Sequence, residues 1–308
     1  MNGKKTKAAA FGQKSLGKRI WKARWSYAAL IPTFAFLFTF TLYPALLGIY
    51  RSLFRWKTNN YFTPKFAGVD NYVRLLGDSD FWESFGVLLV FIVWGFINTF
   101  VINFSTTYFI FRLKDTRAGR FFKKAFVVPM MIPAMVGTMY WSFFYKHDTG
   151  ILDAILNYLG KEEWIHIWLA DNRFTLPAML FKGFPWAGGF AMLIFLAGFL
   201  NVDTALEEAM QIDGANAWDV FTRLYLPLSI PQIKLLSVLG MIGGLQDYTV
   251  QIVYTQGRYH TMVPAYAMYQ NAFENGNYGY ATAQGTVLFL IILIITILQQ
   301  KYIKKADE

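Results

Sequence analysis

The chain of 308 residues contains no cysteine, which excludes a disulfide framework, a cysteine-ligated metal and a thiol nucleophile. Histidine is nearly absent: His147, His166 and His260 are the only three, and they do not stand at a metal-ligand spacing, which argues against a membrane-embedded metalloenzyme. Charge is scarce, at 16% of residues. A nucleotide site is missing too. Gly12-Gln-Lys-Ser-Leu-Gly17-Lys18-Arg19 imitates a phosphate-binding loop until Arg19, which stands where a Ser or Thr would hold magnesium, and no apolar strand precedes it. No internal repeat or low-complexity tract is evident.

What the chain does have is apolar length. With 55% hydrophobic and 19% aromatic residues and a mean hydropathy of +0.32, it groups with integral membrane proteins. Its net charge of +10 does not point to nucleic acid, because the basic residues gather at the edges of apolar segments, where membrane topology puts them. A hydrocarbon core of about 30 Å takes roughly 20 helical residues. Six segments qualify: 27–50, 83–111, 125–145, 176–200, 231–254 and 281–303. The first is too long for the apolar region of a signal peptide, and no small-residue cleavage site follows it before Tyr43-Pro44, so it reads as a retained span.

With the N-terminus inside, eighteen Lys and Arg fall on the cytoplasmic pieces and nine on the external ones. Both termini and the stretch 203–229 are therefore expected in the cytoplasm. The expected organisation is a basic cytoplasmic tail over 1–26, a transmembrane domain over 27–303, and a cytoplasmic end over 304–308. The tail is expected to touch anionic lipid headgroups.

Between Glu207 and Pro227 the later apolar run gives way to polarity. Leu206, Ala209, Met210, Ala217, Phe221 and Leu224 recur at roughly helical spacing, with Glu207, Glu208, Gln211, Asp213 and Asp219 opposite. This predicts two short amphipathic helices, broken at Gly214 by a positive φ and closed before Pro227 and Pro231. An interfacial helix lying on lipid is the other reading, and acidic residues beside an anionic leaflet weigh against it.

The pattern Glu208-Ala209-x-x-x-x-Gly214-Ala215, followed by Phe221 and Leu226-Pro227, resembles the EAA loop of membrane subunits in binding-protein-dependent ABC importers, with Met210 where a second alanine is usual. Phe66-Ala-Gly-Val-Asp70-Asn71-Tyr72 with Asp80-Phe81-Trp82 resembles an external segment of sugar-type importer permeases. Tyr254-Thr255-x-Gly257, Thr261, Tyr269, Ala272-Phe273 and Tyr278-Gly279-Tyr280-Ala281-x-Ala283 look like the closing segment of the carbohydrate-uptake, MalF-like branch. The resemblance implies an all-α, six-helix type I importer permease (MetI-like) fold in a bacterial cytoplasmic membrane. It implies a non-catalytic subunit that moves a sugar, an oligosaccharide by expectation. Its partners would be a second permease subunit, two ATPase subunits that carry ATP and Mg, and an extracellular solute-binding protein. Glu208, Ala209, Asp213, Gly214, Ala215 and Pro227 would couple it to the ATPase.

A substrate pocket is sought among polar residues deep in the spans, since an aspartate at a helix centre costs about 2.5 to 3.5 kcal/mol to insert. Asp247 is the candidate, and Gly240, Gly244, Asp247 and Gln251 fall on one face by helical counting. Gly183, Trp186, Ala187 and Phe190 share a face by the same arithmetic, with Pro185 able to open the helix. Carboxylates and amides grip sugar hydroxyls, and aromatic rings stack on the C–H faces. Lys182 is expected to snorkel to the outer headgroups. The plainer readings stay open: Gly240-x-x-x-Gly244 as a packing motif, Asp247 paired with a partner subunit, Trp186 and Phe190 against lipid, Trp164 and Trp168 in an aromatic belt. Asn98, Asn103 and Ser105-Thr106-Thr107 read as interhelical hydrogen bonders. Two other functions compete: an importer for a non-sugar solute, and a stand-alone channel or secondary transporter with Asp247 as its ion site.

Overall fold

The computed structural model describes residue 21 and residues 23–305. The phosphate-loop imitation, most of the 1–26 tail and residues 306–308 lie outside the described residues. Two compact units are distinguished, 1–51 and 52–308. In the first, helix α1 runs Arg24–Arg51 through Pro32, with a wide π turn at Phe38–Leu42. It is apolar on all sides and buries none of its span, as a helix solvated by lipid does.

The second unit opens with strands β1 (Phe54–Arg55) and β2 (Lys65–Phe66), an antiparallel pair in which Phe54 faces Phe66. Helix α2 (Asp70–Leu76) follows, and its Asn71 amide donates to the carbonyls of Ser52 and Phe54. Helix α3 (Ser79–Arg112) is continuous over 34 residues, capped by Asp78 and widened by a π turn at Asn98–Asn103. Then come α4 (Arg117–Met131), α5 (Ala134–Phe144), α6 (Ile151–Tyr158), α7 (Thr175–Phe181), α8 (Gly189–Leu200), α9 (Thr204–Ile212) and α10 (Ala217–Leu228). Helices α11 (Ile230–Gln246), α12 (Thr249–Tyr254), α13 (Pro264–Tyr269) and α14 (Tyr278–Lys305) close the chain.

Among the described residues only α1, α3 and α14 are unbroken helices long and apolar enough to cross a membrane, and the other expected spans are broken. The expected span 125–145 turns by 103° between α4 and α5. Pro133 explains the break: it drives Ile132 out of the helical region to ψ 125°, as proline does to its predecessor. The expected span 176–200 is helical only at its two ends, α7 and α8. Between them, Gly183, Trp186 and Gly188 take positive φ and the Phe184-Pro185 bond is cis. The expected span 231–254 opens at Asp247, which leaves the helix with φ −77° and ψ 133°.

An aromatic cluster fastens α3, α8 and α10 together. Phe104 and Tyr108 of α3, Phe195 and Phe199 of α8, and Val220, Leu224 and Tyr225 of α10 form one buried group. Leu224 leaves water on docking, worth roughly 1.5–3 kcal/mol for such a side chain. Rings between spans exchange lipid for protein and gain only packing.

Candidate functional site

The elbow forms as two helices around Gly214, whose φ of +84° needs no Cβ. Asp203 caps α9 through the N–H of Ala205 at 2.9 Å. Asn216 caps α10, accepting from Trp218 and Asp219, while Asp219 returns the bond to Asn216 N–H.

Its orientation differs from the helical-face expectation. Glu207 turns inward and accepts from Arg112 at the end of α3 and from Tyr225 at 2.6 Å. Leu206, Ala209 and Ala217, expected inside, are exposed, whereas Met210, Phe221 and Leu224 pack as expected. The ion pair fixes the rotation of α9, and that brings Leu206 outward. Burial pushes the Glu207 carboxyl up, but the Tyr225 and Arg112 hydrogen bonds and the Arg112 and Lys114 charges outweigh it, holding the group below the ordinary glutamate range. Glu208, Ala209, Asp213, Gly214 and Pro227 are exposed, and Ala215 packs partly on the cluster. With Leu206, Ile212 and Trp218 exposed by 50%, 86% and 69%, the outer face is apolar with an acidic rim, the character of a surface awaiting a partner.

The pocket candidates fall into two groups. Gly244, Asp247 and Gln251 line a cavity of about 210 Å³ with Leu88, Phe91 and Gly95 of α3. Gly240 and Gly244 line an adjoining one of about 100 Å³, again against Phe91 and Gly95. So these four residues do converge, on a wall of α3 that sequence reasoning missed; Gly95 beside Trp94 in an apolar run was the available signal. Asp247 is not in a helix. Its Oδ1 accepts from the Thr249 N–H at 2.9 Å and hydroxyl at 2.6 Å, which braces the start of α12, and the residue lines the larger of the two cavities.

Gly183, Trp186 and Ala187 do not share a helical face with Phe190, because 182–188 is not helical. Trp186 instead sits in a turn closed by its N–H on the Gly183 carbonyl at 2.8 Å. Its ring stands edge-on to Trp94, Phe181 and Phe184 at 5.0–5.3 Å. Phe190 is 53% exposed in the first turn of α8. Lys182 does not snorkel outward: its ammonium donates to the buried Thr138 hydroxyl at 2.9 Å and feels the charge of Asp247. The two breaks thus lie within electrostatic reach of one another. Asn103 does bond between helices, donating to Gly188 O at 2.9 Å, whereas Thr107 bonds back to its own helix. The Trp168 indole N–H donates to the buried Asp153 at 2.6 Å, and Trp164 is exposed.

The family described as "Binding-protein-dependent transport system inner membrane component" matches residues 8–306. The trehalose/maltose transport system permease protein MalF of Thermococcus litoralis is 26% identical over 286 residues, covering 91% of this chain and 94% of that protein. The multiple sugar-binding transport system permease protein MsmF of Streptococcus mutans is 24% identical over 301 residues, covering 94% and 99%. Among solved structures, a chain of a bacterial ABC transporter involved in the import of the acidic polysaccharide alginate superposes with a TM-score of 0.80 at 20% identity, covering 96% of this chain and 100% of that one.

Proposed function

The chain belongs to the family of binding-protein-dependent transport system inner membrane components, and from this premise we propose that it is the permease half of an ATP-driven importer that passes a sugar along the Trp186 and Asp247 breaks. It is a multi-pass, non-catalytic membrane subunit of an ABC transporter. ATP and Mg belong to two partner ATPases, which dock on the exposed Glu208 face of the elbow. A second permease supplies the other half of the path, and an extracellular binding protein delivers the sugar, as an oligosaccharide. In this reading the six segments each traverse the bilayer, with both termini and the elbow inside.

One observation carries the reading: a continuous line of contacts joins the elbow to the turn that holds Trp186. Glu207 holds Arg112; Tyr108 and Phe104, one and two turns up α3, pack on Tyr225 and Phe195; Asn103 then grips Gly188, beside Trp186. Movement of the elbow therefore displaces the aromatic break directly. Ligand binding alone gives no direction to transport; an ATPase cycle working on Glu208 does. The sugar assignment rests on the Asp247 carboxylate and Gln251 amide that line one cavity, on the edge-on indoles of Trp94 and Trp186, and on the relative named for trehalose and maltose transport.

Proteoliposomes holding the chain with its co-encoded partners, loaded with ATP and offered labelled maltotriose and other labelled sugars, test it. Uptake should require ATP and fall to background in Glu208→Ala. Uptake blind to ATP and driven by an ion gradient would instead establish the secondary-transporter reading.

A further inference from the structure

A cavity of about 450 Å³ shares no lining residue with the Asp247 site. It lies at the far end of α12, where Tyr254 to Tyr259 face Ser142 to His147 and Ile167 to Ala170. By the proposed orientation it opens to the outside.

Both walls are built rigidly. On one side the buried Asp153 takes the Trp168 indole N–H at 2.6 Å, the Asp148 N–H at 2.9 Å and His147 Nδ1 at 3.4 Å. His147, Asp148 and Asp153 lie close enough to suggest a metal, but both Asp153 oxygens are already engaged, so the group acts as a staple. On the other side two buried hydroxyls, Thr255 and Thr261, meet at 2.7 Å, and Thr261 also donates to Arg258 O at 2.6 Å. This tie holds Gln256 and Tyr259 at φ +52° and +58°, a left-handed conformation that bulky residues keep only where the surroundings impose it.

The chemistry facing inward is of one sign. Lys146 and Arg258 line the cavity, no carboxylate does, and neither cation has an ion-pair partner among the described residues. Arg258 Nη2 donates to Gln256 Oε1 at 3.1 Å, which steadies the guanidinium and leaves the Gln256 NH₂ group to donate elsewhere. Trp168 and Tyr259 add ring surface.

We infer that this cavity is an outer subsite for a sugar ring bearing a carboxylate, a uronate unit. Arg258 and Lys146 receive the carboxylate by charge-assisted bonds. The Gln256 amide serves ring hydroxyls, and Trp168 and Tyr259 meet the C–H faces. Its size falls within the roughly 300–1,000 Å³ of small-molecule sites, and a concave site of that size suits one sugar unit better than the broad face of a partner protein. The inference rests on the sugar-importer reading and narrows it to glycans with acidic rings.

The test is calorimetric titration of the assembled transporter in nanodiscs with trigalacturonate and with maltotriose. Trigalacturonate should bind about tenfold tighter, and the K146Q/R258Q double variant should lose about tenfold in its affinity. Arg258→Lys should retain most of it, and Lys161→Gln, an external lysine away from the cavity, should change nothing. Equal affinity for the two sugars, or trigalacturonate binding untouched by the double variant, overturns the subsite. So does loss of the solute-binding protein from the double variant when neither sugar binds, because the cations would then be a protein contact. ATP-driven maltotriose uptake without trigalacturonate binding sinks the subsite alone; trigalacturonate binding without any ATP-driven sugar uptake supports the subsite and sinks the importer reading.

Discussion

Asn103 and Gly188, 85 residues apart in sequence, clasp each other through complementary groups: the Asn103 amide donates to Gly188 O at 2.9 Å, and Gly188 N–H donates to Asn103 Oδ1 at 3.4 Å. A non-helical segment at membrane depth has backbone groups that lipid cannot satisfy, and a side-chain amide serving both is one remedy.

Gly188→Ala should therefore be disruptive. Gly188 has φ +105°, and a Cβ there would run into the Phe126 carbonyl. A cost of about 2 kcal/mol or more is expected from strain and displacement. Thermal unfolding of the purified chain in detergent checks it; an unchanged Tm contradicts the packing described.

Asn103→Ala removes the amide and leaves two backbone groups unserved, at about 1–3 kcal/mol. Hydrogen exchange at 182–189 should quicken more than in α8. Uniform protection in the variant would count against the clasp.

Seating of the elbow should depend on acidity. Glu207 has its carboxyl held below the ordinary glutamate range, so its stabilising contribution is present above that range and is lost as pH falls through the depressed folded-state value. Hydrogen exchange of α9 should rise as pH falls through that value, and Glu207→Gln should flatten the response. A wild-type profile unaffected by the substitution would show that other groups govern it.

The neighbouring glutamates should separate in function. Glu208→Ala removes an exposed carboxylate and should abolish ATP-driven uptake with a Tm change within about 0.5 kcal/mol equivalent. Glu207→Ala should lower stability as well, because Arg112 and Tyr225 lose their partner. Equal effects from the two would deny the division of labour.

Asp247→Asn keeps an oxygen for the Thr249 bonds and should preserve folding while reducing uptake. Asp247→Ala should lose those bonds too, at about 1 kcal/mol. Full uptake by both variants would remove Asp247 from the path.

The elbow was legible because its determinants are local: Gly214 supplies the break and Asn216 with Asp219 the capping box. Its facing was not, because Glu207 is turned by Arg112, 95 residues away. Counting in threes and fours put Gly240, Gly244, Asp247 and Gln251 on one helical face, but the helix opens at Asp247; Gly240 lines one cavity, Asp247 and Gln251 another, and Gly244 both. The same counting failed for Gly183 to Phe190, where positive φ at three glycines and Trp186 replaces the helix by a turn. Lys182 was misplaced because its partner Thr138 belongs to another broken segment.

The wide turn Asn98–Asn103 in α3 contains one residue more than an α-turn would. Faces keep their phase before it and again after it, but a count carried through it slips by about 100°. Phe91 and Gly95 meet the cavities in one phase, and Asn103, Phe104 and Arg112 meet α8 and the elbow in the other. The surplus residue is thus a clutch setting. Deleting it would leave both halves helical and bonded while rotating the Phe91 and Gly95 face against the Asn103, Phe104 and Arg112 face.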